Sequence, residues 1–206
     1  MDNKIYKILN KVPVDYYDRC NFLQNLWHER KISSFKEIVG THKYKHILEI
    51  GCAGGTFTEK ISQVSDGKIT AIDAYAKAIK YARKKYPKIN FLVADAHFLP
   101  FKSSSYDLVV NYETLEHLID PTQALKEIHR VLKRRGRAII AMDSGNILFR
   151  IIWFFWENTR GKVWQGAHLH PFHHSELERI IRSAGFRILK KKFTHFGMEV
   201  TFILKK

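Results

Sequence analysis

Three glycines, Gly51, Gly54 and Gly55, stand between an apolar run and a helix-patterned run in HILEIGCAGGTFTEKI, residues 46–61. Glycine lets a strand-to-helix turn bend tightly and lets the backbone approach a ligand closely. The ligand such turns hold is commonly a nucleotide. Asp73 closes the next apolar run, KITAID, about twenty residues after Gly51, where an acid can accept from two ribose hydroxyls. A dinucleotide fingerprint would place glycine at the positions held by Ala53 and Thr56. Glu49, beside the turn, would repel a pyrophosphate and attract a cation. The pattern therefore points to a nucleoside that carries positive charge.

A second group of reactive side chains lies in AHLHPFHH, residues 167–174, with His168, His170, His173 and His174. Histidine can take a proton near neutral pH. His173 and His174 directly precede a helix and read as solvated loop residues. No carboxylate accompanies the four at a ligand spacing, so no metal is expected. Glu113, Glu116 and His117 form a third group in NYETLEH, where packing and capping account for Glu116 and His117. The two cysteines, Cys20 and Cys52, make neither a disulfide framework nor a metal motif, and a reducing, cytoplasmic location is expected.

The elements that must position these groups alternate. Before residue 45, Phe22, Leu26, Phe35, Ile38 and Val39 recur at helical spacing. After it, the strand patterns are HILEI, KITAID, INFLVAD, the run ending in Leu108, Val109 and Val110, and RAIIAM. Between them, TFTEKISQV puts Phe57, Ile61 and Val64 on one helix face, and AYAKAIKYARKKY runs to Pro87. DPTQALKEIHRVLKRRG predicts a helix capped by Asp120, with Pro121 at its first position, Leu125, Ile128, Val131 and Leu132 buried, and Gly136 at its end. SELERIIRSAGF predicts a last helix capped by Ser175. FRILKKKF and MEVTFILKK are strands too close in sequence for a parallel crossover, so they are expected to be antiparallel.

The fold class that follows is α/β, a Rossmann-like doubly wound sheet, mostly parallel with an antiparallel C-terminal strand and helices on both faces. One domain is expected over residues 1–206: a helical lid at 1–42, a cofactor-binding core at 43–142, an aromatic and histidine-rich substrate segment at 143–174, and a final helix and strand hairpin at 175–206.

LEIGCAGG resembles motif I of the class I S-adenosylmethionine-dependent methyltransferases, E/D-x-G-x-G-x-G, of the small-molecule and lipid type (type 11-like). Glu49, Gly51 and Gly55 match, and Ala53 replaces the middle glycine. ITAIDAY looks like motif II. FLVADAHFLPFKSSSYDLVVNYETLEHLIDP resembles the segment that follows it in the family. LKRRGRAIIAM departs from the family's L-K-P-G-G at Arg134 and Arg135. The resemblance implies that S-adenosylmethionine is bound and S-adenosylhomocysteine released. It implies that the loop Gly51, Cys52, Ala53 and Gly55 holds the methionine part and that Glu49 faces its amino group. Asp73 would take the ribose, Ala74 would lie beside the adenine, Asp95 and the Ala96 N–H would hold the base, and Asn111 would contact the methionine end. In many small-molecule members a histidine precedes the final helix, which makes His168, then His170, the candidates for a catalytic base.

The formal charge of +15 is compatible with plain solubility or with an anionic partner. The basic residues are scattered, with short runs only at 133–137 and 190–192, so nucleic acid is a less favoured partner than a small-molecule or lipid-like acceptor. NILFRIIWFFW, residues 146–156, is too short to span a bilayer and carries Arg150. Three of the four tryptophans fall in 143–174. That segment reads as a core helix or homodimer interface, as an acceptor pocket, or as a surface dipping into lipid with Arg150, Arg160 and Lys162 near headgroups. VDYYDR, residues 14–19, is a candidate lid through Tyr16 or Tyr17. The alternatives to a small-molecule or lipid methyltransferase are an RNA or protein methyltransferase and a catalytically silent cofactor-binding module.

Overall fold

The structure is a computed structural model that describes residues 7–8, 10–159 and 161–206. Arg160, named above as a headgroup contact, lies outside the described residues. Seven strands form one sheet: β1 His46–Ile50, β2 Lys68–Asp73, β3 Asn90–Val93, β4 Tyr106–Tyr112, β5 Leu132–Asp143, β6 Arg187–Thr194 and β7 Glu199–Lys205. Their order is β3-β2-β1-β4-β5-β7-β6. β1 to β5 are parallel, and β7 runs antiparallel to both β5 and β6, as the short final connection required. The strand order reverses between β1 and β4, so a crevice opens at their carboxyl ends, where open α/β sheets bind ligands.

The helices are α1 Phe22–Val39, α2 Thr56–Val64, α3 Ala76–Lys85, α4 Pro121–Val131, α5 Ile147–Asn158 and α6 His174–Ser183. On one face of the sheet, Phe35 and Val39 of α1 and Ile61 of α2 pack on Ile47, Leu108, Val110 and Ile139. On the other, Leu125 and Ile128 of α4 and Leu177 and Ile181 of α6 pack on Leu48, Val109, Ile140 and Phe202. Each such fully buried side chain contributes roughly 1.5–3 kcal/mol relative to exposure. Both faces of β1 are thereby covered, which fixes the strand that carries the glycine turn.

Four local expectations change. The helix expected to reach Gly136 ends at Val131, because Leu132 adopts extended backbone and pairs with Tyr106 in β5. Gly136 instead lies inside the register shift between β4 and β5, where a Cβ would stand 3.1 Å from the Tyr106 carbonyl oxygen. The last helix is capped by His173, whose ring accepts from the Ser175 N–H, and not by Ser175. Phe22 and Leu26 start α1 but are exposed, while Lys31, Ile32, Ser34, Phe35 and Val39 are its buried positions. The apolar run of the aromatic segment is no core helix: Ile147–Asn158 forms α5, capped by Asn146, and no residue of α5 is buried. Among the described residues no helix is long and apolar enough to cross a membrane.

Candidate functional site

Three adjoining cavities open around the carboxyl ends of β1, β2 and β4. The first is lined by Gly51 and Ala53, by Asp73 and Ala74 after β2, by Asp95 and Ala96 after β3, and by Thr114 and Leu118 after β4. Among the described residues no lysine or arginine lines it, while Asp73, Asp95 and Glu113 do. The second holds Glu49, Cys52, Ala53, Lys31, Lys60 and Lys85. The third is aromatic, with Trp27, Trp153, Trp156 and Trp164 around Glu116, Asp143 and His168. Tyr17 and Glu113 line all three, so the cavities meet at these two side chains.

The glycine turn is shaped by its neighbours. A Cβ on Gly51, at φ +82°, would stand 2.1 Å from Thr114 Oγ1. A Cβ on Gly54 would stand 2.4 Å from the Val14 carbonyl oxygen, so this glycine admits the chain segment that roofs the first cavity. Gly55, also at φ +82°, meets Phe91 and Ala82 and lines neither of the first two cavities; its contribution is close helix–strand packing. Ala53 occupies φ +45°, where an alanine costs roughly 1–2 kcal/mol. Its N–H donates to Asp73 Oδ2 at 2.8 Å, and the Tyr75 N–H donates to Asp73 Oδ1 at 2.8 Å. Burial raises the Asp73 carboxyl, and these N–H groups oppose the rise.

Asp95 is held by His97. The Asp120 N–H donates to His97 Nε2 at 3.1 Å, so Nδ1 carries the ring proton and donates to Asp95 Oδ1 at 2.5 Å. Glu49 shares the Ile47 side of β1 and is 3% exposed. Its Oε2 has no hydrogen-bond partner among the described residues. Burial pushes its carboxyl up to about 7, against the Thr58 hydroxyl and with help from the Asp73 charge. Burial also raises the Cys52 thiol, which makes it a wall of the cavity rather than a nucleophile. Asn111 is buried and turned to the end of β1, where its amide donates to the Ile50 carbonyl at 3.1 Å; its Oδ1 has no partner among the described residues.

Glu113 has positive φ, at +47°, directly after β4, the kind of backbone strain that collects at functional sites. It forms an ion pair with Lys31, itself 4% exposed. Burial alone would raise the Glu113 carboxyl, but the Lys31 ammonium outweighs it and holds it at about 2. The expected lid is a short turn over Tyr16–Asp18, clamped to α2 and α3: Asp18 accepts from Thr56 Oγ1 at 3.0 Å and Tyr81 Oη at 2.5 Å and pairs with Lys85. Tyr17 reaches the cavities from this turn.

Of the two histidines expected to act, the fold brings His168 to the aromatic cavity and not His170. His168 stacks on Trp153 at 4.4 Å and stands 3.8 Å from Asp143. Burial and the neighbouring His117 push its ring down to about 3, so it is neutral at pH 7 but a weak base. His170 instead reaches the Ile119 carbonyl at 3.4 Å and stacks on Phe172. Sequence reasoning gave no role at this site to Lys31, Thr114 or Asp143. Only Lys31 left a signal, a lysine on the apolar stripe that carries Phe35.

Residues 48–140 match the family described as Methyltransferase domain. The "Probable S-adenosylmethionine-dependent methyltransferase" of Mycobacterium tuberculosis is 28% identical over 155 residues, 75% of this chain and 52% of the relative. The demethylmenaquinone methyltransferase of Chlorobaculum tepidum is 26% identical over 203 residues, 88% of this chain and 82% of the relative. The chain thus spans about half the length of the first curated relatives it matches. Among solved structures, a SAM-dependent methyltransferase from Thermotoga maritima superposes with a TM-score of 0.73 at 24% identity, covering 98% of this chain and 99% of that one; at this identity the likeness is one of fold.

Proposed function

We propose that the chain, which matches the Methyltransferase domain family over residues 48–140, is a class I S-adenosylmethionine-dependent methyltransferase that methylates an apolar, lipid-like small acceptor. The family's cofactor, S-adenosylmethionine, supplies a methyl group already activated by a positive sulfur. The residues present fit it. Among the described residues the first cavity has carboxylates and no lysine or arginine, which suits a cationic nucleoside and not a pyrophosphate. Asp73 would take the ribose hydroxyls, and Asp95, held by His97, the adenine amine beside the Ala96 N–H. The second cavity mixes carboxylates and ammonium groups, as a zwitterionic amino acid requires. There the unpartnered Glu49 oxygen would receive the ammonium.

The observation that carries the acceptor class is α5. Its Phe149, Ile152, Trp153 and Trp156 line the aromatic cavity, while Ile147, Ile151, Phe154 and Phe155 are exposed, at 78%, 51%, 62% and 65%. One helix therefore supplies both a wall of the acceptor cavity and an apolar outer surface beside Arg150. That combination suits entry of an acceptor from a lipid surface. Tyr17 and Glu113, at the junction of the cavities, would align the acceptor in line with the methyl and exclude water. The demethylmenaquinone methyltransferase relative supports an acceptor of this kind.

The test is transfer of labelled methyl from S-adenosylmethionine into fractionated cell extract. Label in the organic-soluble fraction is expected. Label in RNA or protein, or in no fraction, would overturn the proposal.

A further inference from the structure

At the floor of the aromatic cavity, Glu116, His117 and His168 each bring one ligand-capable atom within 4.8 Å of one another. Ligand atoms at about 2.0–2.1 Å from a tetrahedral zinc stand about 3.3 Å apart, which small side-chain rotations reach from here. Glu116 is 1% exposed, and its Oε2 has no hydrogen-bond partner among the described residues. A buried carboxylate oxygen without a partner is costly, and a cation beside it removes that cost. Asp143, 8% exposed, lines the same cavity, so two acids are buried together with no lysine or arginine among the described residues that line it.

The surrounding bonds prepare the two rings. His117 Nδ1 donates to the Ala167 carbonyl at 2.8 Å, which leaves the Nε2 lone pair free to ligate. His168 Nδ1 stands 3.8 Å from Asp143 Oδ2, and Trp153 stacks on the ring at 14°. A small ring rotation brings these two groups into hydrogen-bond contact, and a carboxylate so bonded orients a ligating histidine. The backbone joins the two halves: the N–H groups of Leu169 and His170 donate to the Glu116 carbonyl at 2.9 and 3.1 Å. Sequence spacing had shown no carboxylate near His168; the fold supplies two.

We propose that Glu116, His117 and His168 bind a divalent transition cation of the zinc, iron or manganese class, with an oxygen of the acceptor completing its coordination. Two imidazoles and a carboxylate without thiolate select this class over magnesium and calcium. Three protein ligands leave positions open toward the cavity. An acceptor hydroxyl bound there ionises more readily, releasing its proton to solvent, and presents an oxygen nucleophile to the methyl. The acceptor half of the proposal rests on the methyl-transfer reading; the metal half does not.

The experiment uses the untagged full chain, stripped with chelator and titrated with Zn²⁺ by calorimetry and with Co²⁺ by visible absorption. One equivalent per chain is expected. Glu116→Gln and His168→Ala should each weaken binding about ten-fold or more. His42→Ala, at an exposed histidine remote from the cluster, should not. S-adenosylmethionine affinity, measured in parallel, should survive both ligand substitutions, because neither residue lines the nucleoside cavity. Absence of stoichiometric binding, or equal binding by a Glu116→Gln/His168→Ala double variant, overturns the metal site. Methyl transfer that proceeds equally in stripped and reloaded protein overturns acceptor coordination alone. Metal binding without S-adenosylmethionine binding leaves the site standing and overturns the methyl-transfer reading.

Discussion

Replacing Glu49 by glutamine should change how the stability of the ligand-free protein depends on pH. Burial lifts the Glu49 carboxyl from 4.5 to about 7. The folded state therefore holds this proton more tightly than the unfolded chain. The stabilisation is fully present below about pH 4.5 and is lost as pH rises through about 7. A shift of about 2.5 units corresponds to about 3 kcal/mol at 1.36 kcal/mol per unit. Glutamine does not titrate, so the variant should gain about 3 kcal/mol on wild type between about pH 4.5 and about pH 8. Glu199, also buried and pushed up to about 7, titrates in both proteins and cancels in the difference. Urea unfolding of both proteins across this range measures it. A difference that stays flat with pH would refute the argument that Glu49 is buried without compensation. The same substitution should abolish the rise in S-adenosylmethionine affinity with pH through about 7, since the ammonium pairs only with the ionised acid.

Other outcomes follow from the same geometry. Ala53→Gly should stabilise the protein by about 1 kcal/mol in urea unfolding, because it relieves a positive φ. Gly51→Ala should cost about 1–3 kcal/mol and disturb cofactor binding, since the new Cβ meets Thr114. Lys31→Met should cost about 2 kcal/mol, below the figure for a fully buried pair because Glu113 keeps 30% side-chain exposure, and NMR titration should find the Glu113 carboxyl raised. Phe154→Asp with Phe155→Asp should reduce sedimentation with anionic vesicles and leave the melting temperature within a few degrees, because both side chains are exposed. Unchanged vesicle binding would remove the lipid-surface part of the proposal.

The residues that line the first cavity are legible in the sequence, those of the aromatic cavity less so. Glu49, Asp73 and Asp95 each follow or sit in an apolar strand run, and strand ends in a parallel sheet fall on one edge by topology. Spacing along the chain therefore locates them. Glu116, Asp143 and His168 come from three separated segments, and the bonds from Leu169 and His170 to the Glu116 carbonyl and from His117 to the Ala167 carbonyl bring two of them together. No period encodes such a meeting. The tryptophans mark the aromatic segment in the sequence, but apolar residues fill the first ten positions of its helix except Arg150, so periodicity marks no single face. The length of the fourth helix was misjudged because KRRGR suits a helix end as well as an edge of β5; the pairing of Leu132 with Tyr106 decided it. Ala53 reads as a small-for-small change in sequence, and only its φ reveals the strain.

The central claim is that the glycine turn and the acids after β1, β2 and β3 hold S-adenosylmethionine. Calorimetric titration of the wild-type chain and of Asp73→Asn with S-adenosylmethionine and with NADH tests it most directly. The account predicts S-adenosylmethionine binding by the wild type, a loss of about 10- to 100-fold in Asp73→Asn as one charge-assisted contact is removed, and no NADH binding. NADH binding, or equal S-adenosylmethionine affinity in the two proteins, would contradict it.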